Sequence, residues 1–290
     1  MTRDQHHGLR DRISDLHEEN IAVLGDRDVV IASFGGAGQS LVGNILLELG
    51  LNYVDAYTER LSPDGTGRPV EEHAEWRRRL AASHTKDSAH ASGRRPWPRF
   101  VKTHLPPGHF GDRPLLGSWI LVRDPRDALY SRYRFRVDYA QDPADTAAGT
   151  FENWLHRPGP AGLKPVDDWN HFYDTWLDAT AVHRRHTTTR FEDIKAAPST
   201  TICRALREFG VMARPQQVAA AVERSSFTAM RAHEERNSGS ESAPGRQQHI
   251  MRRGKPGEWR EWMTPRLMTC FSAPRTRSVA ARFGYRPAEA

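Results

Sequence analysis

Cysteine is scarce in this chain. Two are present in 290 residues, Cys203 and Cys270, and their spacing fits neither a metal site nor a redox pair. A disulfide scaffold and a cysteine zinc site are therefore excluded, and a reducing compartment is expected. Long apolar runs are missing too. Mean hydropathy is −0.70, and no uninterrupted apolar stretch approaches the roughly 18 residues of a membrane span. Residues Met1 to Arg12 are polar and lack the apolar stretch of a secretory signal, so a soluble cytoplasmic protein is expected. No fixed-period repeat is visible. Lysine is rare: of 42 Lys+Arg, five are lysine and the other 37 arginine. Against 36 Asp+Glu the formal net charge is +6. That balance admits nucleic acid, an anionic membrane surface or an anionic small ligand. No basic run is long or unbroken enough for a nucleic-acid arm, so most arginines are read as solvated faces, and neither nucleic acid nor membrane is expected as a partner.

What is present alternates strands with helices. Val29-Val30-Ile31-Ala32-Ser33 is a β-branched run that predicts a buried strand. The turn Phe34-Gly35-Gly36-Ala37-Gly38 follows. Gln39 to Leu49 then reads as a helix, with Leu41, Ile45 and Leu49 on one face and Gly50 as its stop. Arg99 to His104 and Ser118 to Val122 predict two more strands. The second leads into a helix from Pro125 past Tyr133, proline being suited to a first helical turn. Val166 to Arg185 is helical by pattern, with Trp169, Phe172, Tyr173 and Trp176 as a core stripe. Thr187 to Phe191 predicts a strand, and Ser199 to Phe209 and Gln216 to Arg224 predict helices. The order implies an α/β fold: one domain over residues 1–290, with a central parallel sheet and helices on both faces. Residues 1–25 read as an N-terminal extension. Residues 81–95 and 237–248, poor in apolar anchors, read as mobile loops over a site.

A strand, a glycine-rich turn and a helix together make a phosphate site. Amides point into the turn, and the helix N-terminus adds about half a positive charge. Gly35, Gly36 and Gly38 would let the backbone approach an anion, Ala37 and Gln39 complete the turn, and Ser40 can donate a hydroxyl. The loop is neither a Walker A motif, which needs Lys before Ser40, nor a dinucleotide fingerprint. Taken alone it is equally readable as a tight strand–helix turn. Two further segments lie at the carboxyl ends of predicted strands, where open α/β sheets bind ligands: Lys102-Thr103-His104-Leu105-Pro106, and Arg123-Asp124-Pro125-Arg126-Asp127 with Ser131 eight residues after Arg123. A third, Arg252-Arg253-Gly254-Lys255-Pro256-Gly257-Glu258-Trp259, lies near the C-terminus. His183 and His186 lack a third ligand at a recognisable spacing and read as surface histidines.

In this order the segments resemble the PAPS-dependent sulfotransferases of the cytosolic type, from about Val29 to Trp259, and the arginine-rich composition suggests a bacterial member. The resemblance implies a P-loop-like sulfotransferase fold and transfer of a sulfonate from PAPS to a hydroxyl or amine of a small-molecule acceptor, with PAP as product. A specialised metabolite or its precursor is the acceptor expected by analogy. His104 would be the general base, with Lys102 near the transferring sulfonate. Residues Gly35, Gly36, Ala37, Gly38, Gln39 and Ser40 would hold the 5′-phosphosulfate. Arg123 and Ser131 would hold the 3′-phosphate, helped by Arg252, Arg253 and the Gly254 backbone. Phe191, Ser225 and Phe227 would border the adenine. No metal is implied. The pattern departs from the family in two places: Gly36 stands where the family has the lysine that stabilises the leaving group, and Leu41 where it has the tryptophan that stacks on adenine. An alternative is therefore a PAPS- or PAP-binding partner protein with weak or no transferase activity. A P-loop kinase and a nucleic-acid binder are weaker readings. The family's short C-terminal dimer motif is absent from Ser278 to Ala290, which leaves a homodimer or a partner protein open. The acceptor pocket is expected from Tyr53–Arg95, Arg136–Gly162 and Ser238–Ile250.

Overall fold

In the computed structural model the described residues are 15–71, 84–85, 96–180, 183–237, 249–250 and 252–287. Five parallel strands make the central sheet: β1 (Asp28–Ser33), β2 (Asn52–Asp55), β5 (Arg99–Thr103), β6 (Gly117–Val122) and β7 (His186–Arg190). Their spatial order is β2-β5-β1-β6-β7. A small antiparallel hairpin, β3 (Glu59–Leu61) and β4 (Gly67–Pro69), follows β2. β1 pairs with β5 on one side and with β6 on the other. The chain turns both ways from β1, so the crevice for a ligand opens at the carboxyl end of this strand.

The period-two alternation of β1 divides the core into two layers. Val29 and Ile31 face α1 (Gln39–Glu48), α5 (Pro198–Glu208) and α6 (Pro215–Arg224), through Val42, Ile45, Leu46, Ile202, Leu206 and Val218. Val30 and Ala32 face α2 (Pro125–Arg134), α3 (Pro165–Thr180) and α8 (Pro274–Ala281), through Leu129, Trp169, Tyr173 and Val279. Helices thus cover both faces, as the strand–helix alternation implies. The aromatic stripe on α3 is core: Trp169, Phe172, Tyr173 and Trp176 are all buried.

Several boundaries shift. The strand expected to end at Phe191 ends at Arg190, and Phe191 opens the short helix α4 (Phe191–Ala196). The helix read from Val166 to Arg185 stops at Thr180. Residues 15–22, inside the stretch read as an extension, are helical and packed: Leu16, His17, Asn20 and Ile21 are buried. Asn20 fastens them to the hairpin, donating to Ala56 O at 2.8 Å and accepting from Leu61 N at 2.8 Å. The loops expected at 81–95 and 237–248 lie outside the described residues, except for 84, 85 and Asn237, which ends the helix α7 (Phe227–Asn237). No described helix is long and apolar enough to cross a membrane.

Candidate nucleotide and transfer site

The carboxyl ends of β1, β5, β6 and β7 meet in one cleft. It is lined by Gly35, Gly36, Gly38, Gln39, Ser40, Lys102, His104, Arg123, Ser131, Phe191, Ser225, Phe227, Arg252, Arg253 and Gly254. Of the residues singled out in the sequence only Ala37 is not on its wall; it is buried beneath the turn. The chain contributes these groups from positions more than 200 residues apart, which a parallel sheet achieves by ending its strands together.

The turn after β1 is shaped by two glycines. Gly36 has φ +92° and Gly38 φ +93°, a region that side-chain-bearing residues rarely adopt. Space is closed as well. A Cβ on Gly36 would lie 2.3 Å from Ala128 O, and one on Gly38 would lie 2.5 Å from the Phe191 ring. The turn is thus pressed between α2 and α4. Helix α1 begins without a side-chain cap, so its first amides face the cleft unpaired within the helix. The Gln39 side chain points inward instead, accepting from Ser33 Oγ at 2.9 Å and donating to Ile31 O at 2.7 Å. Only its backbone is available to a ligand.

His104 follows β5. Its Nδ1 lies 2.7 Å from Ser33 O. A carbonyl only accepts, so Nδ1 carries the proton and Nε2 keeps its lone pair. Although the ring is reachable from the cleft, the desolvating walls and the neighbouring Lys102 cation push its pKa down to about 3. The imidazole is neutral at ordinary pH and able to take a proton. The Tyr57 hydroxyl accepts from the His104 amide at 3.0 Å. Lys102 is not unattended: its Nζ donates to Asp55 Oδ2 at 2.9 Å. Burial of Asp55 works against its charge, but Lys102 outweighs that and holds the carboxyl below its ordinary range.

At the other end of the cleft Arg123 is braced on three sides. It donates to Gly36 O at 3.2 Å and Lys255 O at 2.9 Å, and pairs with Asp127 at 3.5 Å. The Asp127 carboxylate, one turn along α2, also accepts from Gly257 N and Trp259 N, both at 2.7 Å. This anchor was not visible in the sequence beyond its i, i+4 relation to Arg123. Arg252 and Arg253 both pair with the buried Glu258. Phe227 packs against Gly254, and Ser225 Oγ accepts from Asn44 at 2.9 Å. His183 donates to or accepts from Ser118 Oγ at 2.8 Å, and no cluster of metal-ligating residues occurs among the described residues.

Three segments were expected to build an acceptor pocket. Two of them reach the cleft through Asp138 and Tyr139, and through His249 and Ile250. Phe135, Arg132 and Arg134, on or just after α2, line it too.

A sulfotransferase-domain family model matches residues 26–273. No curated protein sequence matches the chain. Among solved structures the fold is similar to that of the mouse sulfotransferase SULT7A1 complexed with PAP, at 14% identity and TM-score 0.59, covering 93% of this chain and 94% of that one. It is also similar to retinol dehydratase in complex with androsterone and the inactive cofactor PAP, at 17% identity and TM-score 0.57, covering 90% and 82%. A further structure of retinol dehydratase, with retinol and PAP, gives 17% identity and TM-score 0.56, covering 94% and 85%.

Proposed function

The chain belongs to the sulfotransferase family, and from that premise we propose that it moves a sulfonate from PAPS to a hydroxyl or amine of a small organic acceptor. The observation that carries the reading is His104. Its Nδ1–H is fixed on Ser33 O, which leaves a neutral base in the same cleft as the glycine turn and the Arg123–Ser131 pair. The residues fit the donor: the turn at Gly35, Gly36 and Gly38 presents backbone to the cleft, and Arg123, Arg252 and Arg253 line the same cleft.

When bound, PAPS supplies an activated sulfonate and leaves as PAP. Arg123 and Ser131 hold the 3′-phosphate in this reading, with Arg252, Arg253 and the Gly254 backbone completing the pocket. Amides of residues 35–40 take the 5′ end. Phe191 and Phe227 border the base beside Ser225. His104 Nε2 takes the acceptor's proton as its oxygen or nitrogen attacks, and Lys102 offsets charge growing nearby. Phe135 and Tyr139, stacked with ring centroids 5.3 Å apart, give the remaining wall an aromatic character that suits a ring-bearing acceptor, such as a specialised metabolite or its precursor.

A second reading, a PAPS- or PAP-binding partner with little transfer, is favoured by one observation: Lys102 is engaged by Asp55, and no cation stands within the turn itself. Calorimetric titration with PAP, followed by a transfer assay with phenolic and amine acceptors, decides between them. Wild type should bind PAP, and Arg123→Met with Ser131→Ala should weaken it by about 100-fold, the worth of charge-assisted hydrogen bonds lost at one phosphate. Binding without turnover on any acceptor supports the second reading. No binding by wild type overturns both.

A further inference from the structure

The turn that cradles the 5′ end has no cation of its own, yet a guanidinium lies on top of it. Arg132 stands on α2 one helical turn after Ala128, and the two residues share the face that presses on the turn. The Arg132 stem lies against Gly35: a Cβ at position 35 would meet Arg132 Cδ at 3.4 Å and Cγ at 3.5 Å, ordinary contact distances. The stem of Arg132 thus lies along the side that a residue larger than glycine would share. Its Cζ then reaches over the Phe34 ring, 4.3 Å from the centroid. The side chain lines the same cleft as Gly36, Lys102 and His104.

The neighbouring cations are committed elsewhere. Lys102 is held by Asp55 at 2.9 Å, Arg123 by Asp127 and two carbonyls, and Arg252 by Glu258. The described carboxylate contact of Arg132 is a long one, to Asp168 at 3.4 Å, with both side chains partly exposed. Such a pair adds little and leaves most of the five donors of the guanidinium for a ligand.

Resting on the nucleotide reading above, we propose that Arg132 is the cation of the glycine turn: it holds the 5′-phosphate of the nucleotide and offsets the charge that grows on that end as the sulfonate departs. Electrostatics agree with this placement. Arg132 and His104 line the same cleft, and the Arg132 charge is a minor contributor to the lowered His104 pKa.

The test separates the two ends of the nucleotide. Wild type, Arg132→Met and Arg132→Lys are titrated with PAP and with adenosine 3′-monophosphate, which lacks the 5′-phosphate. Methionine keeps the stem against Gly35 and removes the charge. Arg132→Met should weaken PAP by about 10- to 100-fold and leave adenosine 3′-monophosphate unchanged within about threefold. Arg132→Lys should recover part of the loss, and sulfonate transfer should fall by about 100- to 1000-fold in the Met variant. Equal weakening of both ligands assigns Arg132 a structural role and overturns the proposal, as does no weakening of PAP. Wild type that binds PAP no better than adenosine 3′-monophosphate overturns it while leaving the 3′ site standing. Wild type that takes neither ligand overturns the nucleotide reading itself, and this assignment with it.

Discussion

The two sides of the cleft are built on opposite plans, although Arg123 reaches across to Gly36 O at 3.2 Å. On the Arg123 side, side chains line the cleft and each charge is balanced: Arg123 by Asp127, Arg252 and Arg253 by Glu258. On the Gly36 side the wall is backbone, and the charge arrives from another element, Arg132 on α2. A site made of named side chains in a fixed spacing announces itself in a sequence. A site made of amides announces only that glycine is present, and a charge supplied across the fold announces nothing. The Arg-x-Pro-x-Asp-x-x-x-Ser spacing was therefore legible, whereas the glycine turn was ambiguous and Arg132 was one arginine among many.

The largest expected effect tests whether chemistry lives at the backbone-built end. His104→Ala should lower transfer by at least about 100-fold while PAP affinity, set mainly at the other end, stays within a few-fold. Calorimetry and turnover on the same preparation would show it; parallel loss of both would dissolve the distinction between the ends. Because burial and then Lys102 push the His104 pKa down to about 3, the kcat/KM profile of the wild type should show no loss attributable to this base until pH falls below about 5.

Next in size is Gly36→Ala. The φ of +92° and the 2.3 Å approach to Ala128 O ask for both strain and displacement of α2. Strain alone costs about 1–3 kcal/mol. Gly50, at φ +74° with open space around it, supplies the control: Gly50→Ala should show the strain without the crowding. Thermal midpoints of the two variants should differ by several degrees, Gly36→Ala being the lower. Equal midpoints would mean that the turn yields and that its side-chain-free wall is not enforced by α2.

The smallest effect at neutral pH concerns the support behind the backbone-built end. His17 is buried, stacks on Tyr57 at 4.2 Å, and pairs with Thr103 Oγ1 at 3.1 Å. Burial drives its pKa to about 4. The unfolded chain takes up a proton here as pH drops through 6.5, whereas the folded chain resists until about 4. Stability is therefore lost as pH falls through that window, by up to about 1.4 kcal/mol per pH unit. His17→Gln should flatten that slope in urea titrations at stepped pH; an unchanged slope would remove His17 from the account.

Elements followed the same division between legible and silent. β1, β5, β6 and β7 were readable as short runs of apolar or β-branched residues. β2, with only Tyr53 and Val54 between Asn52 and Asp55, and the hairpin of Glu59–Leu61 and Gly67–Pro69 are too short and too polar for periodicity to register. Residues 15–22 carry buried Leu16 and Ile21, but their polar neighbours made the stretch resemble a tail. Gln39 was placed at the ligand by its position in the turn, and its side chain turned inward because a buried amide can serve Ser33 and Ile31 at once. Asp127 was seen as half of an ion pair. That it also holds the backbone of Gly257 and Trp259 depends on a contact 130 residues away, beyond any local pattern.

That carboxylate has an entropic consequence. Asp127 lies on α2 with Ser131, one turn after Arg123, and it accepts from Gly257 N and Trp259 N in the segment that follows Arg252 and Arg253. The helix and this segment are thus joined before any ligand arrives. In the proposed reading, the loss of backbone freedom needed to bring these donors to one phosphate occurs when the chain folds, not when the nucleotide binds. Such a receptor would select its ligand by shape and charge held in advance.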